Sequence, residues 1–147
     1  MRALTLIQPY GGLIATGIKR VENRTWPAPP SMLGQRFAIH AGSKVDRETI
    51  EDLLDEGLTE HELWRMRSAV LAVATLDRVV ADRITSGLGS FHSLTRDEAC
   101  WYNGPFGFVL CDIVALPAPV PCKGALGFWT LPSDVERAVR EQIGEAA

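Results

Sequence analysis

The chain has 147 residues, 46% of them hydrophobic and 22% charged, with a formal net charge of −3 at pH 7. That is the length and composition of one globular domain with a core of its own, spanning residues 1–147, and it excludes a disordered segment. The mildly acidic balance counts against a sequence-independent nucleic-acid coat, which needs a broad basic face, but leaves room for a small basic pocket.

The elements follow in order. "RALTLIQ" alternates and is rich in strand formers, which predicts a first strand at residues 3–7. "QPYGGLIATG" comes next. Pro9 suits the first position of a short helix, Leu13 and Ile14 supply its apolar side, and Gly17 suits the left-handed residue that ends it. Gly11 and Gly12 lower helicity but allow close packing or ligand approach. "KRVENRTW" then alternates with period two, placing Arg20, Glu22, Arg24 and Trp26 on one strand face and Lys19, Val21, Asn23 and Thr25 on the other.

A proline-rich loop leads to the strand "QRFAIHAG", which ends near His40. Asp46 is positioned to cap a helix containing Ile50, Leu53 and Leu54, closed by Gly57. A second helix is expected from Thr59, with Leu63, Trp64 and Met66 inside. "AVLAVATLDRVVA" and "PFGFVLCDIVAL" read as long strands. Between them lies a polar stretch with a short helix at residues 95–99, whose neighbours Trp101 and Tyr102 could form a lid. A last strand is expected at residues 128–131, with Ser133 capping a C-terminal helix. The long strands lack a crossover helix, which favours an α+β fold: a largely antiparallel sheet or small barrel with helices outside it.

The three cysteines, Cys100, Cys111 and Cys122, are odd in number and lack C-x-x-C spacing, so neither a disulfide framework nor a structural zinc site is expected. His40, His61 and His92 are far apart. "HELWR" begins like a zincin helix, but Arg65 stands where the second histidine would be. No metal and no cofactor are expected. No apolar signal segment and no run near ~18 apolar residues is visible, so the expected location is the cytoplasm, without membrane contact.

Residues 17–26, "GIKRVENRTW", concentrate the charge. One reading is a solvated strand whose ions neutralise one another, worth only ~0–1 kcal/mol per exposed pair. The other is a site. Arg24 can fork to phosphate or to a base edge, and Lys19 supplies a point charge or, if desolvated, a base. Glu22 can hold the arginine or accept from a base amine. Gln8 offers a donor and an acceptor, while Tyr10 and Trp26 offer flat faces for stacking.

"Gly17-x-Lys19-x-x-Glu22-x-Arg24" resembles the G-x-K-x-x-E-x-R signature of the ASCH domain family, in the PUA-like superfamily. "LTLIQPYGGLIATGIKRVENRTW", "FAIHAGSK" and "PVPCKGALGFWTLP" resemble the family's blocks in the family's order. The resemblance implies a small, mostly antiparallel PUA-like β-barrel with flanking helices and a cleft lined by the signature. It implies binding of single-stranded RNA or a nucleotide through Gln8, Tyr10, Lys19, Glu22, Arg24, Trp26 and His40. Some relatives are hydrolases of RNA or of acylated cytidine, and there Lys19 and Glu22 would be catalytic. In the amidohydrolase members, threonine stands at the position of Glu22, which places binding ahead of catalysis. A third role, docking of a protein partner, would fall to the acidic segment 46–67.

Overall fold

The computed structural model describes residues 1–81 and 94–146. Among the described residues six strands and four α-helices are formed. Strand β1 (Arg2–Gln8) runs into helix α1 (Tyr10–Ala15), and β2 (Val21–Arg24) follows. After a 3-10 turn at Pro30–Met32 come β3 (Arg36–Val45) and α2 (Arg47–Asp55). A second 3-10 turn, Glu62–Trp64, precedes β4 (Ala69–Ala81). Helix α3 (Arg96–Trp101), β5 (Phe106–Pro121), β6 (Phe128–Thr130) and α4 (Ser133–Gln142) complete the order. The sequence expectation at His92 lies outside the described residues.

The strands form one sheet in the order β2-β5-β4-β3-β1-β6. β1 and β3 are parallel, and every other pairing is antiparallel. The expected mixture of strands and outlying helices is therefore present, but the barrel is open. Among the described residues no ladder joins β2 to β6. Side chains bridge the two ends instead. Trp26, just beyond β2, meets Phe128 of β6 edge-on with ring centroids 6.0 Å apart, and meets Phe108 of β5 at 5.4 Å. Phe108 and Phe128 are stacked. Such aromatic pairs add ~0.5–1.5 kcal/mol each beyond their buried area, so the curl is held by rings where a closed barrel would use backbone pairs.

Strand alternation divides the core between the two faces. Leu4, Leu6, Phe37, Ile39 and Leu71 pack with Ile14 of α1. Ala3, Ala38, Val70 and Val73 pack with Val135 and Val139 of α4. Helix α1 approaches its neighbour so closely that a Cβ on Gly12 would lie 2.6 Å from the Leu63 carbonyl oxygen. Gly17 ends the α1 turn at φ +79°, and the backbone N–H groups of Ile18 and Lys19 both return to the Leu13 carbonyl.

Several expectations are corrected. Pro9 occupies the cap position before α1, one residue earlier than expected, and Pro132, not Ser133, occupies the cap position of α4. Strand β2 starts at Val21 because the Lys19 N–H belongs to the helix end. The second acidic-region helix is only the 3-10 turn. The Leu63 and Met66 carbonyls accept from Gln8, and the Leu63 N–H donates to His61, so helical bonding is pre-empted there. Asp46 does cap α2, accepting from the Thr49 N–H at 3.1 Å, and Gly57 follows at φ +95°. Ile50, Leu53 and Trp64 pack on Leu13, while Leu54 faces solvent.

Candidate functional site

The gap between the sheet's two ends is where the signature residues gather. Among the described residues β6 pairs with β1 as far as Leu4, and β2 pairs with β5 alone. A cleft of about 500 Å³ opens between the remainder of β1, at Thr5 and Ile7, and β2, at Glu22, Asn23 and Arg24. Tyr10 and Thr49 border it, and Trp101, Tyr102 and Asn103 line it from the end of α3. A larger concavity of about 580 Å³ lies beside it, lined by Gly17, Ile18, Arg20, Asp97 and Glu98. Among the described residues its charged side chains are exposed or half-buried, whereas the smaller cleft is lined by the buried pair Lys19 and Glu22.

Lys19 is only 2% exposed and Glu22 only 7%. Lys19 enters the cleft from the helix end, before the strand alternation begins. It therefore joins Glu22, contrary to the period-two reading that put them on opposite faces. Its ammonium donates to the Val21 carbonyl and, at 3.1 Å, to Glu22 Oε1. Arg24 Nη2 donates to Glu22 Oε2 at 3.1 Å and to the Thr5 carbonyl at 2.7 Å. One carboxylate thus sits between two cations. Lys19 Nζ also lies 5.2 Å from the Tyr10 ring centroid, and the Arg24 guanidinium 5.8 Å from that of Trp26. Burial lowers the Lys19 pKa below the ordinary 10.5, against the pull of Glu22. Arg24 Nε is buried with no hydrogen-bond partner among the described residues.

The aromatic wall is held by Asn23. Its Nδ2 donates to the Trp101 carbonyl at 2.8 Å, and its Oδ1 accepts from the Asn103 N–H at 2.8 Å. Thr95 and Glu98 form a reciprocal cap at the start of α3, which fixes the helix that presents Trp101. Tyr102 is set by its hydroxyl, which donates to the Pro105 carbonyl, and by Gly107, where a Cβ would come within 2.7 Å of the tyrosine ring.

The expected site residues divide three ways. Tyr10, Lys19, Glu22 and Arg24 converge on the cleft. Gln8 does not line it. Fully buried, it braces β1 against the 59–67 segment and accepts from the Gly12 N–H. Trp26 packs its ring on Phe108 and Phe128. His40 is buried on the far side of Thr5, beneath a second groove. Its Nε2 faces the Cys122 carbonyl at 2.7 Å and so carries the proton. Trp129 Nε1 donates to Thr5 Oγ1 at 3.0 Å, which leaves the threonine hydroxyl to donate to His40 Nδ1 at 3.1 Å. The side chain is a neutral structural link, and burial lowers its pKa below 6.5 despite the Cys122 bond.

Sequence reasoning missed Thr5, Thr49 and Asn23. Asn23 stands inside the signature, but its partners lie 78 and 80 residues away, so no local spacing points to them. Arg20, expected beside Glu22, is exposed and borders the neighbouring concavity. Among the described residues, no group of three or more His, Cys, Asp or Glu side chains is arranged to hold a metal ion, and no helix is long and apolar enough to cross a membrane.

Solved structures share this architecture. The crystal structure of ASCH from Zymomonas mobilis aligns with a TM-score of 0.55 at 17% identity, covering 95% of this chain and 93% of that one. A serine-to-alanine mutant of the same protein gives 0.53 at 17%, covering 95% and 94%. A tyrosine-to-phenylalanine mutant gives 0.51 at 16%, covering 95% and 96%. At such identities the likeness is one of fold. No curated protein sequence matches the chain. Residues 4–114, covering both walls of the cleft, match the ASCH domain, and the chain belongs to that family.

Proposed function

We propose that the protein binds a nucleotide unit of single-stranded RNA in the Lys19–Glu22–Arg24 cleft. The observation that carries this reading is the joining of a charged floor to an aromatic wall. Glu22 holds Lys19 and Arg24 in place, and Tyr10, Trp101 and Tyr102 border the same space. A base stacks on any flat ring, so the wall is tolerant of sequence. Two cations around one carboxylate leave an excess of positive charge for a phosphate. The arginine is already oriented, so less side-chain freedom is lost on binding. ASCH relatives associated with RNA make RNA the first ligand to try.

The test is fluorescence anisotropy with a labelled ten-nucleotide uridine RNA. Lys19→Met and Arg24→Gln each weaken binding by about tenfold or more, and Trp101→Ala removes a stacking contribution of ~1–3 kcal/mol. Unchanged affinity in the folded Lys19 and Arg24 variants overturns the reading.

One observation favours a second reading, hydrolysis of RNA or of an acylated nucleoside. A buried lysine with a lowered pKa beside a carboxylate is a pair suited to moving a proton to or from water. Incubation with RNA and with 4-acetylcytidine, followed by product chromatography, decides it. No turnover of either removes this reading and leaves binding.

A further inference from the structure

We infer that the cleft is the first of two adjoining subsites, and that the ligand is a strand of at least two nucleotides. The second subsite is the groove over His40. This inference rests on the RNA-binding reading of the cleft.

The groove has about 520 Å³ of space, comparable with the cleft, and Thr5 lines both. The two spaces thus share a residue of β1. The Thr5 carbonyl is held by Arg24 on one side, and its hydroxyl is held by His40 and Trp129 on the other. A ligand group that reaches Arg24 is therefore one hydrogen bond from the residue that also lines the groove.

The groove's chemistry differs from that of the cleft. Its floor contains no uncommitted polar group, because both His40 nitrogens and the Thr5 hydroxyl are bonded to one another or to backbone. Gly124 presses on that floor, where a Cβ would come within 2.7 Å of His40 Cε1 and Thr5 Oγ1. The rim carries Lys123, Ser43 and Ser68, all exposed, and Leu126, which is 97% exposed. An exposed leucine at the edge of a floor whose polar atoms are already bonded, with one cation on the same rim, suits a base face followed by a phosphate. It does not match a second freely charged ligand, since the floor offers nothing to fork to. A nucleotide 3′ or 5′ to the one in the cleft meets these requirements, with the base against Leu126 and the linking phosphate near Lys123.

The experiment compares uridine monophosphate, the dinucleotide UpU and its deoxy counterpart by isothermal titration calorimetry, using the full chain and the double variant Lys123→Glu, Leu126→Ser. Both substituted side chains are exposed, so the fold is retained. The expected result is that UpU binds about tenfold tighter than the monophosphate, and that the double variant loses this gain while keeping its monophosphate affinity. Equal affinity for the two ligands overturns the second subsite, as does a gain that survives the double variant. A deoxy dinucleotide that matches UpU overturns the assignment to RNA while keeping the subsite. Absence of binding by every ligand overturns the cleft reading itself, and the second subsite with it.

Discussion

The main chain of Thr5 faces one polar cluster and its side chain faces another. On the hydroxyl side, Trp129, Thr5, His40 and the Cys122 carbonyl form a chain in which each donor has an acceptor. On the carbonyl side, Lys19, Glu22 and Arg24 are buried or half-buried, but among the described residues Arg24 Nε has no partner and the charges do not cancel. Both clusters contain residues that sequence reasoning marked for ligand binding. Burial of polar groups therefore does not by itself mark a candidate site. The balanced chain has no free donor or acceptor of its own, whereas the other cluster keeps an unpaired donor and a net charge among the described residues.

The largest expected effect breaks the unbalanced cluster. Glu22→Gln removes the carboxylate from between two cations and costs about 3–5 kcal/mol in urea unfolding. The pH dependence has a defined sign. Glu22 holds the Lys19 pKa up against burial and Arg24, so over the alkaline range below 10.5 the folded variant binds fewer protons than the folded wild type, relative to the same unfolded chain. The variant's deficit should therefore shrink as pH rises. A loss below about 1 kcal/mol, as for an exposed pair, would show that the cluster is solvated after all.

A middle-sized effect breaks the balanced cluster. Gly124→Ala forces a methyl group onto His40 and Thr5, and overpacking of this kind costs about 1–3 kcal/mol in thermal or urea unfolding. Monophosphate affinity at the cleft should be retained. If affinity falls with stability, the two clusters are coupled through Thr5 and do not act as separate units.

The smallest effect sharpens the contrast. The His40 ring should titrate below 6.5 when followed by its Cε1 proton resonance. The unfolded chain then takes up a proton that the folded chain refuses, so stability falls as pH drops below 6.5 towards the folded pKa. A midpoint at or above 6.5 would contradict the neutral tautomer assigned from the Cys122 and Thr5 contacts.

Features that depend on near neighbours are legible in the sequence. Asp46 caps α2 through the nearby Thr49, and Gly17 ends α1, because both act within a turn of chain. The Glu22–Arg24 pairing is legible for the same reason, whereas the period-two pattern puts Lys19 on the other face. The helix expected after Thr59 does not form, because its carbonyls are claimed by Gln8, 55 and 58 residues earlier.

The sequence by itself therefore determined the strand segments, the helices other than the one expected after Thr59, the turn that delivers Lys19 and the chemistry of the charged group. Hydrophobic period, glycine at positive φ and residue type are properties of short stretches. Only the tertiary structure decided that the sheet stops short of closing and that its gap becomes the cleft. It also decided that Trp101 arrives there on an Asn23 clamp while Gln8 and His40 are spent as braces. Those outcomes depend on which distant backbone groups remain unpaired once the strands have taken their partners, and no short stretch contains that information.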